Sequence, residues 1–204
     1  MKKIFAGAFL IALWVTCAFA QTQTSTTDFR KFEVFAGYSA NNLLNGNPED
    51  VVEPNGNSTP TYRGWNVSAA YNFNRFWGVK ADVSGYYKKF TFADSPVRIT
   101  ANASVYNYLA GVQFKDNKKT KRFSPFLQAL AGVTTSKVDL DLSDFGAPDL
   151  NSSNTGFSMV FGGGVDLKVN RRFSVRLIQA DYNPTFSNGN MQNNVRLGFG
   201  IVFH

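Results

Sequence analysis

The sequence Val195-Arg196-Leu197-Gly198-Phe199-Gly200-Ile201-Val202-Phe203 stands immediately before the last residue, His204. Every odd position in this stretch is apolar, whereas the even positions hold an arginine, two glycines and a valine. Successive side chains of a β-strand point to opposite faces, so the alternation predicts a strand with one apolar face. A charge and two glycines on the other face fit a crowded or hydrated interior better than a second apolar layer.

The first twenty residues have the features of a secretory signal peptide. Lys2 and Lys3 form a basic start, residues 4–15 form an apolar run, and Ala18-Phe19-Ala20 places small residues at the cleavage positions. Cleavage is predicted before Gln21, and the shortness of the run disfavours the alternative of an uncleaved membrane anchor. Residues 21–30 are rich in polar side chains and predict a flexible tether, which leaves residues 31–204 as one domain.

Composition excludes several classes of protein. The single cysteine, Cys17, lies inside the leader, so the exported chain has no thiol and no disulfide. The formal charge of +7 falls to +5 once Lys2 and Lys3 are removed. Export, and the absence of a basic stripe interleaved with aromatics, argue against a nucleic-acid partner. A chain with 17% charged and 15% aromatic residues suits a surface that partly faces lipid.

Eight segments after the leader alternate in hydrophobicity, and none has a sustained helical period. They are predicted as strands at residues 31–40, 64–73, 77–90, 104–114, 123–135, 156–168, 173–182 and 192–203. About ten residues of tilted strand are enough to cross the hydrocarbon layer of a membrane.

The connections between these segments alternate in length. Residues 41–63, 91–103, 136–155 and 183–191 form medium or long loops, whereas residues 74–76, 115–122 and 169–172 form short turns. This asymmetry is typical of outer-membrane barrels, which have long external loops and short periplasmic turns. The prediction is therefore an all-β fold, an eight-stranded antiparallel up-and-down transmembrane barrel. Both termini then lie in the periplasm, and the last strand closes against the first.

A soluble, lipocalin-like barrel also shows alternation, so alternation alone leaves both folds open. One face of the segments carries Trp, Phe, Tyr, Val and Leu, whereas the other carries Gly, Ala and Ser with scattered charges. An eight-stranded barrel has room inside for little more than side chains, which favours the small residues as the inner set. Aromatic residues also cluster near the turns, as the girdles of a membrane barrel do.

The seventh segment departs from strict alternation. Arg176 and Asp181 are five residues apart, so a regular strand would place them on opposite faces. One β-bulge near Ile178 and Gln179 would turn both side chains inward. The hypothesis is that Arg176 and Asp181 then pair in the lumen.

The leader ending at Ala20, the opening segment Val34-Phe35-Ala36-Gly37-Tyr38-Ser39 and the closing segment ending at Phe203 carry a family resemblance. With these features residues 30–204 resemble the small outer-membrane β-barrel family, which includes outer-membrane protein A-like transmembrane domains. The resemblance implies residence in the cell outer membrane, with outer-membrane lipid and lipopolysaccharide as neighbours. It also implies that Phe199, Ile201 and Phe203 form the assembly signal read by the barrel-assembly machinery, with periplasmic chaperones assisting. His204 departs from the family pattern, in which the aromatic residue is terminal.

Polar residues on the inner face are the candidate functional constellation. They are predicted to form a lumen network of Glu33, Lys80, Asp82, Lys88, Gln113, Gln128, Asp166, Lys168, Arg176, Asp181 and Arg196. Buried charges must pair or stay hydrated, so this set predicts either a salt-bridged plug or a narrow path for ions. The plug is favoured because eight strands leave little free bore.

Catalytic, metal and cofactor sites are not predicted. A lipid-modifying barrel enzyme needs an activated nucleophile, and the one histidine, His204, is expected to be a solvated terminal residue. Asp139, Asp141, Asp144 and Asp149 lack the spacing of a calcium loop and are expected to be solvated. The predicted function is therefore structural or surface-interacting, as a monomer, with a low-conductance porin as the alternative. A lipid-modifying enzyme and a soluble binder are further alternatives.

Overall fold

The structure is a computed structural model that describes residues 29–43, 61–94, 97–141, 150–187 and 189–204. The described residues form eight antiparallel strands in one closed barrel, in which each strand pairs with its sequence neighbours. The strands are β1 (Phe32–Leu43), β2 (Thr61–Asn72), β3 (Trp77–Asp94), β4 (Val97–Lys115), β5 (Phe123–Asp141), β6 (Leu150–Lys168), β7 (Phe173–Ser187) and β8 (Asn190–Phe203). No helix in these ranges is long and apolar enough to cross a membrane.

The barrel closes where the first strand meets the last. β1 pairs with β8 from Val34 opposite Phe203 to Leu43 opposite Asn194. This pairing hydrogen-bonds the two edges that an open sheet would expose, so the described barrel has no free edge along this seam. The predicted fold and the predicted closure are confirmed.

Strand ends on the periplasmic side lie within one or two residues of their predicted positions, whereas the external ends run further than expected. The predicted loop over residues 91–103 is wrong, because β3 and β4 stay paired up to Asp94 opposite Val97. The predicted loop over residues 183–191 is wrong in the same way, since β7 and β8 pair up to Ser187 opposite Asn190. Strands that rise above the membrane contact water on both faces, so they lack the alternation used to find them.

Two of the periplasmic turns share one local design. Asn74 Oδ1 accepts hydrogen bonds from the backbone N–H groups two and three residues later, both at 2.8 Å. Asn170 Oδ1 does the same at 2.7 and 2.9 Å. Asparagine side chains commonly fold the backbone in this way, which explains why both hairpins turn within a few residues.

The outer surface of the barrel is apolar over its whole circumference. Large side chains such as Val79, Leu127 and Phe161 are 49%, 64% and 49% exposed, although they belong to the strands. Aromatic residues gather near the periplasmic turns, where Trp77 packs edge-on against Phe114 at 5.2 Å between ring centroids. The soluble, lipocalin-like alternative is wrong, because the large apolar side chains face outward and the polar ones inward.

The predicted β-bulge in the seventh strand is present. The pairing of β7 with β8 shifts register between Arg176 and Gln179. The two residues between them, Leu177 and Ile178, are 49% and 53% exposed and both face outward. Arg176 and Asp181 are therefore both buried in the lumen, at 1% and 2% exposure.

The described barrel begins slightly before its predicted boundary. Phe29 forms a β-bridge with Lys118, and the backbone N–H of Arg30 donates to the carbonyl of Asn117 at 3.3 Å. Arg30 is buried, so residues 29 and 30 pack on a periplasmic turn although the tether was predicted to include them. The predicted leader and residues 21–28 of the tether lie outside the described residues.

Candidate functional site

The lumen contains two aromatic rings that need glycine neighbours. Phe35 and Phe126 point inward and are 3% and 2% exposed. A Cβ atom on Gly37 would lie 2.6 Å from Phe35 Cζ, and one on Gly164 would lie 2.9 Å from Phe126 Cε1. Those distances are too short for carbon atoms, so glycine at both positions makes the space that the rings occupy.

Arg176 lies between these two rings at the centre of the barrel. Its Cζ atom is 4.3 Å from the ring centroid of Phe35 and 4.1 Å from that of Phe126, which is the geometry of a double cation–π contact. Its Nε donates to Asp166 Oδ1 at 2.8 Å, and its Nη1 donates to Gln179 Oε1 at 2.7 Å. The guanidinium is thus held by two ring contacts and by hydrogen bonds to Asp166 and Gln179.

A cluster of charges lies on the periplasmic side of Arg176. Lys115 Nζ donates to both carboxylate oxygens of Glu33 and to Asp166 Oδ2, each at 2.8 Å. Gln113 Nε2 donates to Glu33 Oε2 at 3.4 Å. Since Asp166 also binds Arg176, this cluster and the central arginine form one continuous set of ion pairs.

A second cluster lies on the external side. Arg196 Nη1 donates to Asp82 Oδ1 at 2.8 Å, and Arg196 Nε donates to Asp181 Oδ2 at 2.8 Å. Asn66 Nδ2 donates to the same oxygen of Asp82 at 2.9 Å. A single arginine therefore joins carboxylates on two different strands, and hydrogen bonds to ionised groups are the stronger kind.

Glutamines connect the two clusters. Gln179 accepts from Arg176 and donates through Nε2 to Asp181 Oδ2 at 2.7 Å. Gln128 accepts from Lys80 Nζ at 2.7 Å and donates to Asp181 Oδ1 at 2.7 Å. The predicted direct pair between Arg176 and Asp181 is wrong: both face the lumen, but Gln179 lies between them and hydrogen-bonds to each.

The ionised groups of this network balance in sign. Each is at most 4% exposed, and burial at that level requires a partner for every charge. The four cations and four anions are Lys80, Lys115, Arg176, Arg196, Glu33, Asp82, Asp166 and Asp181. The network therefore contains equal numbers of basic and acidic side chains.

Nine of the eleven predicted lumen residues belong to this network. The two exceptions lie at the ends of the barrel. Lys88 is partly buried near the external end of β3, and Lys168 donates to the backbone carbonyl of Lys119 at the periplasmic rim. The predicted assembly residues Phe199, Ile201 and Phe203 all face outward, at 57%, 44% and 51% exposure. Their role in assembly stays a prediction.

Three members of the network were not predicted, and each had a signal in the sequence. Lys115 was assigned to a turn, although it continues the inward parity of Gly111 and Gln113 along β4. Asn66 has the inward parity of β2, and it is 2% exposed. Gln179 was considered only as part of the bulge. The sequence therefore predicts the linking amide Gln128 but not Gln179, whose inward direction depends on the bulge.

His204 is also placed differently from its prediction. Its side chain is 3% exposed, its Nε2 is 2.9 Å from Ser174 Oγ, and its backbone N–H donates to the carbonyl of Arg172 at 2.8 Å. Burial lowers the pKa of the ring to about 4, although nearby Glu33 opposes the shift. The expected solvated residue is wrong: His204 is a neutral ring packed into the periplasmic end, and its 3.6 Å approach to Glu33 is not an ion pair at neutral pH.

A closed barrel with an apolar exterior, aromatic bands and a paired, charged interior defines an integral outer-membrane β-barrel. The model of the family described as "Outer membrane protein beta-barrel domain" matches residues 10–203, and the chain belongs to this family. The protein is accordingly an outer-membrane protein. A search of curated protein sequences gives no match.

Two solved structures show the same fold at low sequence identity. Ail, the attachment invasion locus protein of Yersinia pestis, solved in complex with the heparin analogue sucrose octasulfate, superposes with a TM-score of 0.56. It is 20% identical, over 85% of this chain and 98% of Ail. Neisserial surface protein A superposes with a TM-score of 0.54 and is 17% identical, over 84% of this chain and 96% of that one.

Proposed function

We propose that this protein acts at the cell surface through adhesion-like contacts of its external end, while a plugged lumen stabilises the barrel and does not carry solutes. The observation that supports the plug is the hydrogen-bonded network of charged and amide side chains described above, which crosses the lumen and receives side chains from all eight strands. A barrel of this strand number encloses little more than its own side chains.

An ion entering the lumen would meet groups that already have partners. Arg176 is held by two rings and two hydrogen-bond acceptors, and Lys115 donates to three carboxylate oxygens. Passage would require breaking buried ion pairs, each of which costs several kcal/mol when one partner is lost. This cost favours a plug over the alternative of a low-conductance porin.

The names of the two relatives support a role in surface contact. Ail is an attachment invasion locus protein, and Neisserial surface protein A is named for its position on the cell surface. In the present chain the external hairpins rise well beyond the predicted strand ends, up to Asp94 opposite Val97 and Leu140 opposite Leu150. β1 and β2 likewise pair up to Asn42 opposite Thr61. These paired strands support residues 44–60, which connect β1 to β2, and residues 142–149, which connect β5 to β6.

Lipopolysaccharide is proposed as the immediate neighbour of the external end. Three exposed cations face outward near this end: Arg63 on β2, Lys89 on β3 and Lys137 on β5. The exposed aromatic side chains of Tyr87 and Trp65 lie beside or just below these cations, and we call this pair the external aromatic band. Cations directly above such a band are at the height of lipid phosphates, which favours contact with an anionic glycolipid.

A non-enzymatic role is part of the proposal. One arrangement has the order of a catalytic triad, namely Ser174, His204 and Glu33. Three features of this arrangement nevertheless oppose catalysis. The serine is 1% exposed, so no substrate reaches it. The Nδ1 atom of His204 lies 3.6 Å from Glu33, beyond a hydrogen bond. Both oxygens of Glu33 are already held by Lys115. A nucleophile must be both activated and accessible, and this serine is not accessible.

The adhesion proposal is tested by expressing the protein in a non-adherent bacterial host and counting cells bound to a host-cell layer. Variants replace residues 44–60 or 142–149 with short Gly-Ser turns, and a control replaces the exposed periplasmic Arg171 with Ser. Adhesion above the empty host is expected, with loss in one or both loop variants and no change in the control. Equal adhesion with and without the barrel contradicts the proposal.

A further inference from the structure

Above the ion network the lumen widens into a cavity of about 200 Å³ near its external end. Tyr86 of β3 is fully buried in the lumen, and its hydroxyl lies 3.2 Å from Ser39 Oγ. Side chains of β1, β2, β4, β5, β7 and β8 line the wall. We call this cavity the cup; it adjoins the ion network, since Asn41 of its lining pairs with Arg196 across β1 and β8.

Neutral hydrogen-bonding groups dominate the lining of this cup. It includes the amides of Asn41, Asn107, Asn183, Asn194 and Gln192, together with hydroxyl groups, and no carboxylate among the described residues. Amide side chains offer both donors and acceptors at close spacing. Such a surface matches a ligand that itself carries many hydroxyl groups.

The one charged residue along this wall does not change that conclusion. Lys137 belongs to the lining but is exposed, and on β5 it has the outward parity, opposite to that of Thr134 and Ser136. An anionic ligand would therefore find no cation among the inward-facing residues of the lining. The lining thus favours an uncharged ligand.

Several of these amides are held in fixed orientations. Thr134 Oγ1 donates to Asn107 Oδ1 at 2.7 Å, and Ser158 Oγ donates to Asn183 Oδ1 at 2.7 Å. Asn194 Nδ2 donates to the backbone carbonyl of Asn183 at 3.2 Å. Groups that are already oriented lose little conformational entropy when a ligand binds.

Asn41 provides the independent sign of a missing partner. The residue is 6% exposed and lines the cup, yet its Oδ1 atom accepts no hydrogen bond. Buried acceptors in native proteins are nearly always satisfied, by protein, ordered water or ligand. Tyr62, its partner across the β1–β2 pairing, also lines the cup.

We propose that this cup binds an uncharged, hydroxyl-rich ligand, a single sugar ring of a neutral glycan. A ligand hydroxyl would donate to Asn41 Oδ1, the oriented amides would satisfy the others, and the apolar face of the ring would pack on Tyr62. The cavity has room for roughly seven water molecules at the density of the liquid, which is about the size of one such ring. The inference does not depend on the adhesion proposal, because binding is measured on the purified barrel.

The test is a nuclear magnetic resonance titration of the isotope-labelled full barrel in detergent micelles. Sucrose is the neutral probe, and sucrose octasulfate is the charged probe of the same skeleton. Sucrose is expected to shift the side-chain amide signals of the cup in a saturable way, while the octasulfate leaves them unchanged. Saturable shifts with the octasulfate at the same signals would overturn the choice of an uncharged ligand.

Two variants separate binding from non-specific effects. Asn41→Leu removes the free acceptor and is expected to weaken sucrose binding about tenfold. Asn102→Leu, at a similar height but on the outer face of β4, is the control and leaves binding unchanged. Ala103→Leu fills the cup from its wall and should abolish the shifts even if the first variant folds poorly. Absence of saturable shifts in the wild type, or equal affinity in all variants, means that the cup holds only water and overturns the proposal.

Discussion

Arg196 on the last strand binds Asp82 on the third strand across the interior of the barrel, with 2.8 Å between Nη1 and Oδ1. β8 and β3 are not neighbours, since β1 and β2 lie between them in the closed sheet. The same guanidinium also binds Asp181 on the adjacent β7. One side chain therefore links distant parts of the barrel wall, which backbone pairing alone does not do.

Replacing Arg196 with Met should strongly destabilise the barrel. The substitution leaves Asp82 and Asp181 without their shared cation in a buried site, and breaking a buried pair in this way costs about 3–5 kcal/mol. The free energy of unfolding is measured by urea titration of the barrel refolded in micelles, with tryptophan fluorescence as the signal.

The matched control for that variant is Arg171→Met on an exposed periplasmic turn, which should change stability by less than about 0.5 kcal/mol. Adding Asp82→Asn to Arg196→Met removes one of the unpaired charges and should recover part of the loss. A wild-type-like R196M variant would show that the ion network does not stabilise the barrel.

Two glycines of β8 should differ in their tolerance of alanine. A Cβ atom at Gly200 would lie 2.4 Å from the carbonyl oxygen of Ala36 and 2.5 Å from Gly37 Cα, both in the backbone of β1. At Gly198 the nearest atom, Tyr38 O, is 3.1 Å away. Gly200→Ala is expected to lower stability by about 1–3 kcal/mol because it forces the closing seam apart, whereas Gly198→Ala changes it little.

The heat-modifiable shift of the folded barrel on gels, followed over a temperature series, measures this difference. Both glycines lie on the inner face of the same strand, so the pair controls for general effects of side-chain size. Equal midpoint temperatures of unfolding for the two variants would contradict the close approach of β1 and β8 at Gly200.

The bulge in β7 predicts that two consecutive residues both face lipid. Leu177→Lys and Ile178→Lys should each destabilise the barrel by roughly 2 kcal/mol, because each places a cation in the apolar layer. In a strand without the bulge, one of the two side chains would point into the polar lumen and tolerate lysine better. Urea titration of both variants distinguishes the two cases. An unfolding free energy close to that of the wild type for either lysine variant contradicts the bulge.

His204 should make stability depend on pH below neutrality. The folded state holds the ring neutral, with a pKa lowered by burial from 6.5 to about 4. Its contribution is therefore complete above pH 6.5 and is lost as the pH falls toward 4, by about 3 kcal/mol at most. His204→Gln keeps a partner for Ser174 and removes this titration.

The quantity to measure is the difference in unfolding free energy between wild type and H204Q at pH 8 and at pH 4. Carboxylates titrate in both proteins and largely cancel in the difference. Wild type should lose stability relative to the variant on acidification. A difference that does not change with pH contradicts the buried, neutral ring.

Strand number and inner face could be predicted because membrane barrels impose a strict period of two on each crossing. Glu33, Asp82, Asp166 and Arg196 were placed in the lumen from parity alone. The external ends of the strands were not predictable in this way, since water on both sides removes the contrast between faces. The length of a hairpin such as β3–β4 depends on backbone pairing, and the residue types in the sequence give only a weak signal of that pairing.

The partners of each lumen residue depend on three-dimensional distances that parity does not contain. Arg176 and Asp181 share a face, as predicted, but only the register shift shows that Gln179 joins them. His204 looked solvated because it is terminal, and its burial follows from the backbone bond to Arg172 that turns it over the periplasmic end. Contacts across the barrel arise from curvature, which is a property of the whole sheet.

The plugged lumen is the central claim, and single-channel recording in planar lipid bilayers tests it most directly. The purified barrel should insert and give a closed trace over the range of voltages used, in salt that other barrels conduct well. Insertion is verified separately by protease protection of the reconstituted protein, with detergent alone as the blank. A steady, ohmic conductance that scales with the amount of inserted barrel would contradict the account and establish the narrow porin.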